Sequence, residues 1–398
     1  MKTNTDSKRI EEIFARGTVV EALPSRAELL KRLQSGDRLK IYIGVDPTAT
    51  ALHLGHAKNI MFLEELRQLG HEVILLFGDF TAMIGDPTDR SAARNQLSAE
   101  EVKKNASLWL KQVEPILNFK DKENPAQIQY NSDWLSKLTL ADLVSLSSNF
   151  TVQQMLERDM FEKRMNENAP IYLHEFLYPL MQGYDSVAME VDAELCGTDQ
   201  IFNAMAGRTL LKRLKNKDKL VIALNLVANP VTGELMSKSK GTGVFIDQTA
   251  KDLFGSIMAL PDPMIDPLYV NCTRLPLGDK EKLLGTGPRM AKARVAFDIV
   301  KRFHGEKAAT DAETAFEKTF SKGGVPEDIE EVEYSGGSLS ELLVKKEIVP
   351  SKAEWRRLIE GGAIRNEEDE KITDPNFAPQ SSIVLKIGKR RFVKLTVK

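Results

Sequence analysis

From residue 39 the chain reads LKIYIGV, then a polar break DPTATALHLGH, then AKNIMFLEELRQLG, then EVILLFGDF. A short unbroken apolar run is the pattern of a strand covered on both faces. In the middle segment Ile60, Leu63, Leu66 and Leu69 fall near helical spacing, and Gly70 is a natural stop. The second apolar run, at 72–80, completes strand, loop, helix, strand within about forty residues, which predicts a βαβ crossover and a parallel sheet. LKIYIGV is the first strand this pattern predicts. Downstream it predicts a helical stretch over 139–162, a helix around HEFLYPLMQGYD, a helix after DQIFNAMAGRTLLKRL and a strand at LVIALNLV. The expected class is α/β, with a Rossmann-like parallel-sheet nucleotide-binding domain over 1–234.

The pattern changes after LMSKSKGTG, a short polar loop placed at 235–249. Helical periodicity and proline-broken turns over 250–322 predict a small helical domain that carries the basic stretch GPRMAKARVAFDIVKRFHGEK. Paired glycines and a run of acidic residues give 323–337 the composition of a linker. Two helix patterns, SLSELLVKKE and SKAEWRRLIEGG, and an alternating apolar end, SSIVLKIGKRRFVKLTVK, predict a small α+β domain over 338–398.

Composition narrows the function classes. A length of 398 residues suggests two or three domains, and a formal net charge of -2 means that any nucleic-acid surface must be local. Two cysteines, Cys196 and Cys272, are too few for a disulfide scaffold and fit no zinc spacing, so no metal site is expected. No apolar run reaches the ~18 residues of a membrane span, and the opening MKTNTDSKRIEE is charged. No membrane association and a cytoplasmic location are expected.

The turn between a strand's carboxyl end and the next helix's amino end is an anion site, because free N–H groups and the helix dipole meet there. Neither GxGxxG nor GxxxxGK[ST] occurs in the chain. His53 and His56 flank Gly55 at that turn and offer a floor with two N–H donors; a metal pair or two structural histidines are the alternatives. In the 235–243 loop, Ser237, Lys238 and Ser239 can cradle a polyphosphate, or can equally be a solvated surface loop.

HLGH after a first strand, with MSKS some two hundred residues later, resembles the paired motifs of the class I aminoacyl-tRNA synthetases. YIGVDPTA, GDFTAMIGDPTDRSAAR, YPLMQGYD and CGTDQIFN extend the resemblance to the tyrosyl branch of that family. The resemblance implies ATP, magnesium with the ATP, L-tyrosine and tRNA(Tyr) as partners, a homodimer, and a role for each matching residue. Tyr42 and Asp185 would face the substrate hydroxyl, and Tyr178 and Gln182 its amino group. Asp46 and Thr48 would serve the amine and phosphate region, and Asp86 the ammonium. Gly44 would allow close approach of the nucleotide, and Gly197, Asp199 and Gln200 would take the ribose and the carboxyl side. His53, His56, Thr48 and Lys238 would hold the charge that develops on phosphate, with Arg90 and Arg94 on pyrophosphate.

Read without the resemblance, Tyr42 is an ordinary core residue, Asp86 a turn former before Pro87, and Asp199 a helix cap. One departure is plain: Leu235 stands where the family motif begins with lysine. The tail resembles a small RNA-binding fold, which implies that Lys345, Lys346, Lys352, Arg356, Arg357 and Arg365 face tRNA phosphate, against a solvated helical face. Competing expectations are a cofactor-building HxGH nucleotidyltransferase, an RNA-binding relative without catalysis, and tryptophan as the substrate.

Overall fold

The apolar runs at 39–45 and 72–80 form neighbouring parallel strands of a six-stranded sheet. Its members in chain order are β1 (Val19–Leu23), β2 (Lys40–Val45), β3 (Glu72–Phe77), β4 (Gln127–Tyr130), β5 (Ala193–Gly197) and β6 (Leu220–Leu224). Their spatial order is β1-β6-β5-β2-β3-β4; β2 to β6 run parallel, and β1 closes the edge antiparallel to β6. The computed structural model describes residues 2–87, 97–236, 242–321, 329–366, 370–388 and 391–397.

β1 precedes the strand predicted to come first. Its register shifts between Val19 and Glu21, which breaks the alternation that would have marked it. The connections leave in opposite directions from β2 and β5. The crevice outside the carboxyl ends of these two strands is therefore the topological switch point, where such sheets hold ligand.

The helix Leu54–Gln68 buries Leu54, Ala57, Ile60, Phe62, Leu63 and Leu66, so its amino end is fixed over that crevice. The helical stretch predicted over 139–162 is three short helices, Leu140–Ser147, Val152–Leu156 and Asp159–Asn166. The cause is local: Thr151 caps a new helix by accepting from Gln154 N–H, with Gln154 returning a bond to Thr151 N–H.

The chain divides into two compact units, Met1–Glu306 and Lys307–Lys398, so the helices from Ala250–Met258 to Pro288–His304 belong with the large sheet rather than to a body of their own, and the helix Glu306–Ser321 falls almost wholly in the second unit. Arg16 explains part of this. Its guanidinium donates to the carbonyls of Tyr269 (3.0 Å), Val270 (2.9 Å) and Leu275 (3.1 Å), which ties the amino-terminal helix to the end of the helix Ile265–Cys272. Arg274 adds an ion pair to Glu65.

The second unit holds a four-stranded sheet of β7 (Glu330–Tyr334), β8 (Ile364–Arg365), β9 (Ile383–Ile387) and β10 (Arg391–Val397), in the order β7-β10-β9-β8. The expected linker 323–337 is corrected here, because β7 lies inside it and pairs in parallel with β10. Val332 and Tyr334 point inward at 2% and 4% exposure. Each contributes on the order of 1.5–3 kcal/mol by burial. Glu330, Glu331 and Glu333 of β7 are exposed, Glu331 pairing with Lys394 at 2.6 Å and Glu330 with Arg391 at 3.1 Å, whereas Glu327 and Asp328 lie outside the described residues. Such exposed pairs contribute roughly 0–1 kcal/mol, so burial decides the element. The helices Leu339–Lys345 and Lys352–Glu360 cover this sheet with Leu339, Leu343, Trp355 and Ile359. Among the described residues, no helix is long and apolar enough to cross a membrane.

Candidate active site

His53 is the N-cap of the helix Leu54–Gln68, and its Nδ1 accepts from Gly55 N–H at 3.1 Å. A nitrogen that accepts carries no proton, so neutral His53 presents its hydrogen on Nε2. Its ring lies 3.9 Å, centroid to centroid, from that of His56, tilted by 30°. Burial lowers His53 to about 4; burial, and then the neighbouring His53, lower His56 to about 3. Both rings are therefore neutral donors at neutral pH rather than cations. Gly55 is set by the cap: a Cβ there would stand 2.8 Å from His53 Cε1 and 2.9 Å from its Nδ1. Beyond His56 lies Trp109, ring to ring at 5.8 Å, and both His56 Nδ1 and Trp109 Nε1 are buried without a partner among the described residues.

The segment that follows MSKS returns to this floor. Leu54 N–H donates to Val244 O and Ile246 N–H to Leu52 O, each at 2.9 Å, with His53 and Phe245 paired between them. On the other flank Met236 N–H donates to Val227 O at 2.9 Å, and the exposed Leu235 bridges Ala228. Ser237, Lys238 and Ser239 lie outside the described residues, as do Arg90 and Arg94.

At the carboxyl end of β2, Asp46 accepts from Tyr178 OH at 2.9 Å and from Thr81 Oγ1 at 2.8 Å. Asn131, just past β4, donates to Thr81 Oγ1 at 3.0 Å and to Asp185 Oδ2 at 3.4 Å, while Trp134 Nε1 donates to Asp185 Oδ1 at 2.8 Å. One polar chain thus joins Tyr178, Asp46 and Asp185. Burial pushes Asp185 well above the usual carboxylate range, against the bonds from Trp134 and Asn131. Tyr42 is fully buried, and its hydroxyl lies 3.0 Å from Ser186 Oγ. Ser186, the partner of that hydroxyl, directly follows Asp185 in the helix Tyr178–Met189, and burial, then Glu194 and Asp185, raise the Tyr42 pKa. Gln182 Nε2 donates to Glu194 Oε1 at 2.9 Å. Gln200 Nε2 donates to Asp86 Oδ2 at 2.6 Å, and Asn203 holds the Gln200 carbonyl at 2.8 Å. Gly44 and Thr48 are exposed at the end of β2, and Gly197 and Asp199 stand at the end of β5.

Burial pushes the Asp46 carboxyl up to about 7, against the bonds from Thr81 and Tyr178 that favour its charged form. An ionised Asp46 is what an ammonium needs, so kcat/KM for an amino-acid substrate should rise through pH 7 as this proton leaves. In Asp46→Asn that limb should vanish from the pH profile, whereas a limb that stays in place belongs to another group.

Sequence reasoning missed several members of the site. Gly78 is the tightest: a Cβ would stand 1.9 Å from Asp46 Oδ1 and 2.4 Å from Thr81 Oγ1. Lys58, 1% exposed, donates to Asn59 Oδ1 at 2.8 Å and Asn225 Oδ1 at 3.1 Å, and burial lowers it to about 8. A lysine set among apolar helix positions is the one sequence signal that could have found it. Thr81, Asn131 and Trp134 follow strand ends, as site residues in parallel sheets do.

In the second unit Lys345, Lys346, Lys352, Arg356 and Arg357 are exposed, whereas Arg365, on β8, is partly buried. Lys352 pairs with Glu341 at 2.5 Å and Arg357 with Glu354 at 2.8 Å.

A parallel sheet whose crevice is floored by HLGH, with the MSKS flank bridged to it, is the catalytic architecture of a class I aminoacyl-tRNA synthetase. The family profile described as tRNA synthetases class I (W and Y) matches residues 34–321. The chain is 38% identical over 397 residues to tyrosine–tRNA ligase of Haemophilus influenzae, covering 98% of each chain. It is 41% identical over 388 residues to the Aquifex aeolicus tyrosine–tRNA ligase, covering 96% of this chain and 97% of that one. Its fold is similar to that of a C-terminally truncated mitochondrial tyrosyl-tRNA synthetase from Aspergillus nidulans, with a TM-score of 0.65 at 23% identity over 78% of this chain and 94% of that one. The structure of the Archaeoglobus fulgidus enzyme complexed with L-tyrosine gives a TM-score of 0.58 at 19% identity, over 77% and 99%. The chain belongs to the class I tRNA synthetase family of tryptophan and tyrosine enzymes, in its tyrosine–tRNA ligase branch.

Proposed function

We propose that this chain activates L-tyrosine with ATP, giving tyrosyl-adenylate and pyrophosphate, and then transfers tyrosine to the 3′ end of tRNA(Tyr) during translation in the cytoplasm. The observation that carries the choice of amino acid is the polar chain from Tyr178 through Asp46, Thr81 and Asn131 to Asp185, which supplies an ammonium site at one end and a hydroxyl site at the other. ATP–pyrophosphate exchange should depend on tyrosine and on no other amino acid; dependence on tryptophan instead, or exchange with no amino acid present, would sink the assignment.

The tyrosine carboxylate attacks the α-phosphorus and the bond to pyrophosphate breaks, so the chain has charge to stabilise and partners to align. His53, through Nε2–H, and His56 donate to the phosphate as its charge grows, with Thr48 adding a hydroxyl. Lys238, between Ser237 and Ser239, follows the departing pyrophosphate with Arg90 and Arg94. Asp199 takes the ribose hydroxyls, Gly44 and Gly197 leave room for the nucleotide, and Asp86 with Gln200 serves the ammonium and carboxyl side. Tyr42 and Asp185 hold the phenol. Magnesium enters this reading as the ion that ATP carries.

The homodimer rests on large apolar side chains left in water. Leu140 (77%), Val144 (62%), Val152 (66%), Tyr172 (56%) and Leu173 (80%) all lie between β4 and β5. A second copy of the chain would cover them. Sedimentation should give a dimer, and Leu140→Glu/Leu173→Glu should shift it to monomer; an unchanged dimer would place the interface elsewhere.

The exposed cations of the second unit would hold tRNA phosphate. Lys345→Glu/Lys346→Glu/Arg356→Glu should weaken tRNA binding about tenfold or more and flatten its salt dependence. Tyrosine-dependent exchange should be untouched. Equal tRNA affinity in that variant would remove this face from the interface.

A further inference from the structure

Behind the proposed tyrosine slot lies a buried ion pair that the reaction itself does not use. Lys219, just before β6, and Glu194, on β5, are ion-paired with side-chain exposures of 0% and 2%. Two charges withdrawn from water gain little over a well-packed apolar pair, so strand packing alone does not account for them. Their other bonds do. Lys219 Nζ donates to Ser186 Oγ at 2.8 Å, and Ser186 Oγ lies 3.0 Å from the Tyr42 hydroxyl and 3.5 Å from Glu194 Oε2. Glu194 Oε1 receives the Gln182 amide at 2.9 Å.

We propose that the Lys219–Glu194 pair is a specificity device for the substrate hydroxyl, acting through Ser186 on Tyr42 and directly on Gln182. The proposal rests on the tyrosine reading above. An ammonium has only hydrogens to give, so Lys219 occupies lone pairs of both Ser186 and Glu194. Ser186 is left with one hydrogen, and of the two acceptors in its reach the Tyr42 oxygen at 3.0 Å is nearer than Glu194 Oε2, to which it donates only at the long distance of 3.5 Å. Tyr42, satisfied from behind, keeps its own hydrogen for the slot. Burial and then Glu194 raise its pKa, so it remains a donor. Asp185 receives Trp134 and Asn131 and has acceptor capacity left. A phenol between them gives its hydrogen to Asp185 and takes that of Tyr42, whereas a bare phenyl ring leaves both without partners. Gln182, held by its NH2 group, keeps its carbonyl oxygen for the substrate ammonium. Lys219 and Glu194 are positioning residues in this scheme.

Ser186→Ala in the full chain keeps the ion pair and removes the relay. In pyrophosphate exchange it should raise the tyrosine KM roughly tenfold and cut the tyrosine-over-phenylalanine ratio of kcat/KM by a similar factor. The ATP KM should stay within about twofold. Lys219→Met/Glu194→Gln, neutral and of similar volume, should lower the same ratio, because Met gives Ser186 no hydrogen. A folded Ser186→Ala protein with unchanged tyrosine KM and unchanged ratio would overturn the proposal. Asp185→Asn separates this from the reading beneath it. If Asp185→Asn loses the discrimination and Ser186→Ala does not, only the role of the ion pair falls; if neither changes tyrosine use, the slot itself is misassigned.

Discussion

Gly78→Ala should reduce tyrosine-dependent pyrophosphate exchange by about a hundredfold or more, the scale on which displacements near 1 Å act in an aligned site. The added methyl would sit 1.9 Å from Asp46 Oδ1 and 2.4 Å from Thr81 Oγ1, distances that no packing tolerates. A free carboxylate would swing aside at little cost. Asp46 is not free, because Tyr178 holds one oxygen and Thr81 the other, and Asn131 holds Thr81 in turn. Moving it disturbs the chain as far as Asp185. The ATP KM should change far less than the tyrosine KM, because the histidine floor stands on the helix Leu54–Gln68, outside this chain of hydrogen bonds. Wild-type exchange in a Gly78→Ala protein would mean that Asp46 has no part in binding.

Replacing either histidine of the floor should act on rate rather than on tyrosine affinity. His53→Ala and His56→Ala should each lower kcat for exchange on the order of a hundredfold, as loss of one preorganised donor does. His53→Ala also loses an N-cap, about 1 kcal/mol of stability. His53→Asn keeps an acceptor for Gly55 N–H and offers an amide donor, so it should recover both stability and part of the rate. Because burial holds the two rings at about 4 and about 3, no acid limb from them should appear near 6.5. A limb there that disappears with His53→Ala would show that the ring works as a cation.

Much of this arrangement was legible before any coordinates, and for a physical reason. Strands buried on both faces and capped helices leave strong local patterns, and HLGH, DPTA, YPLMQGYD and GTDQ carry groups that few contexts use together. All fall at strand ends or helix starts on one edge of the sheet. What stayed hidden depends on partners distant in sequence. Lys219 reads as a surface charge until Glu194 and Ser186 are folded against it, and Lys58 until Asn225 meets it. β7 reads as linker because its glutamates and the glycines around it dominate the composition, while Val332 and Tyr334 carry the fold. β1 lost its alternation to a register shift. The resemblance of the tail to an RNA-binding fold groups Arg365 with the exposed cations, and its place on β8 leaves it partly buried.

The sheet of the second unit is joined in an order unlike that of synthesis. β10 lies between β7 and β9, yet it is translated after both. Until the ribosome releases residues 391–397, β7 and β9 each present an open hydrogen-bonding edge with no neighbour between them, a state prone to sticking to other chains. A nonsense mutation at Arg391 would remove the central strand rather than a dispensable fringe, and would convert the whole unit into a target for degradation.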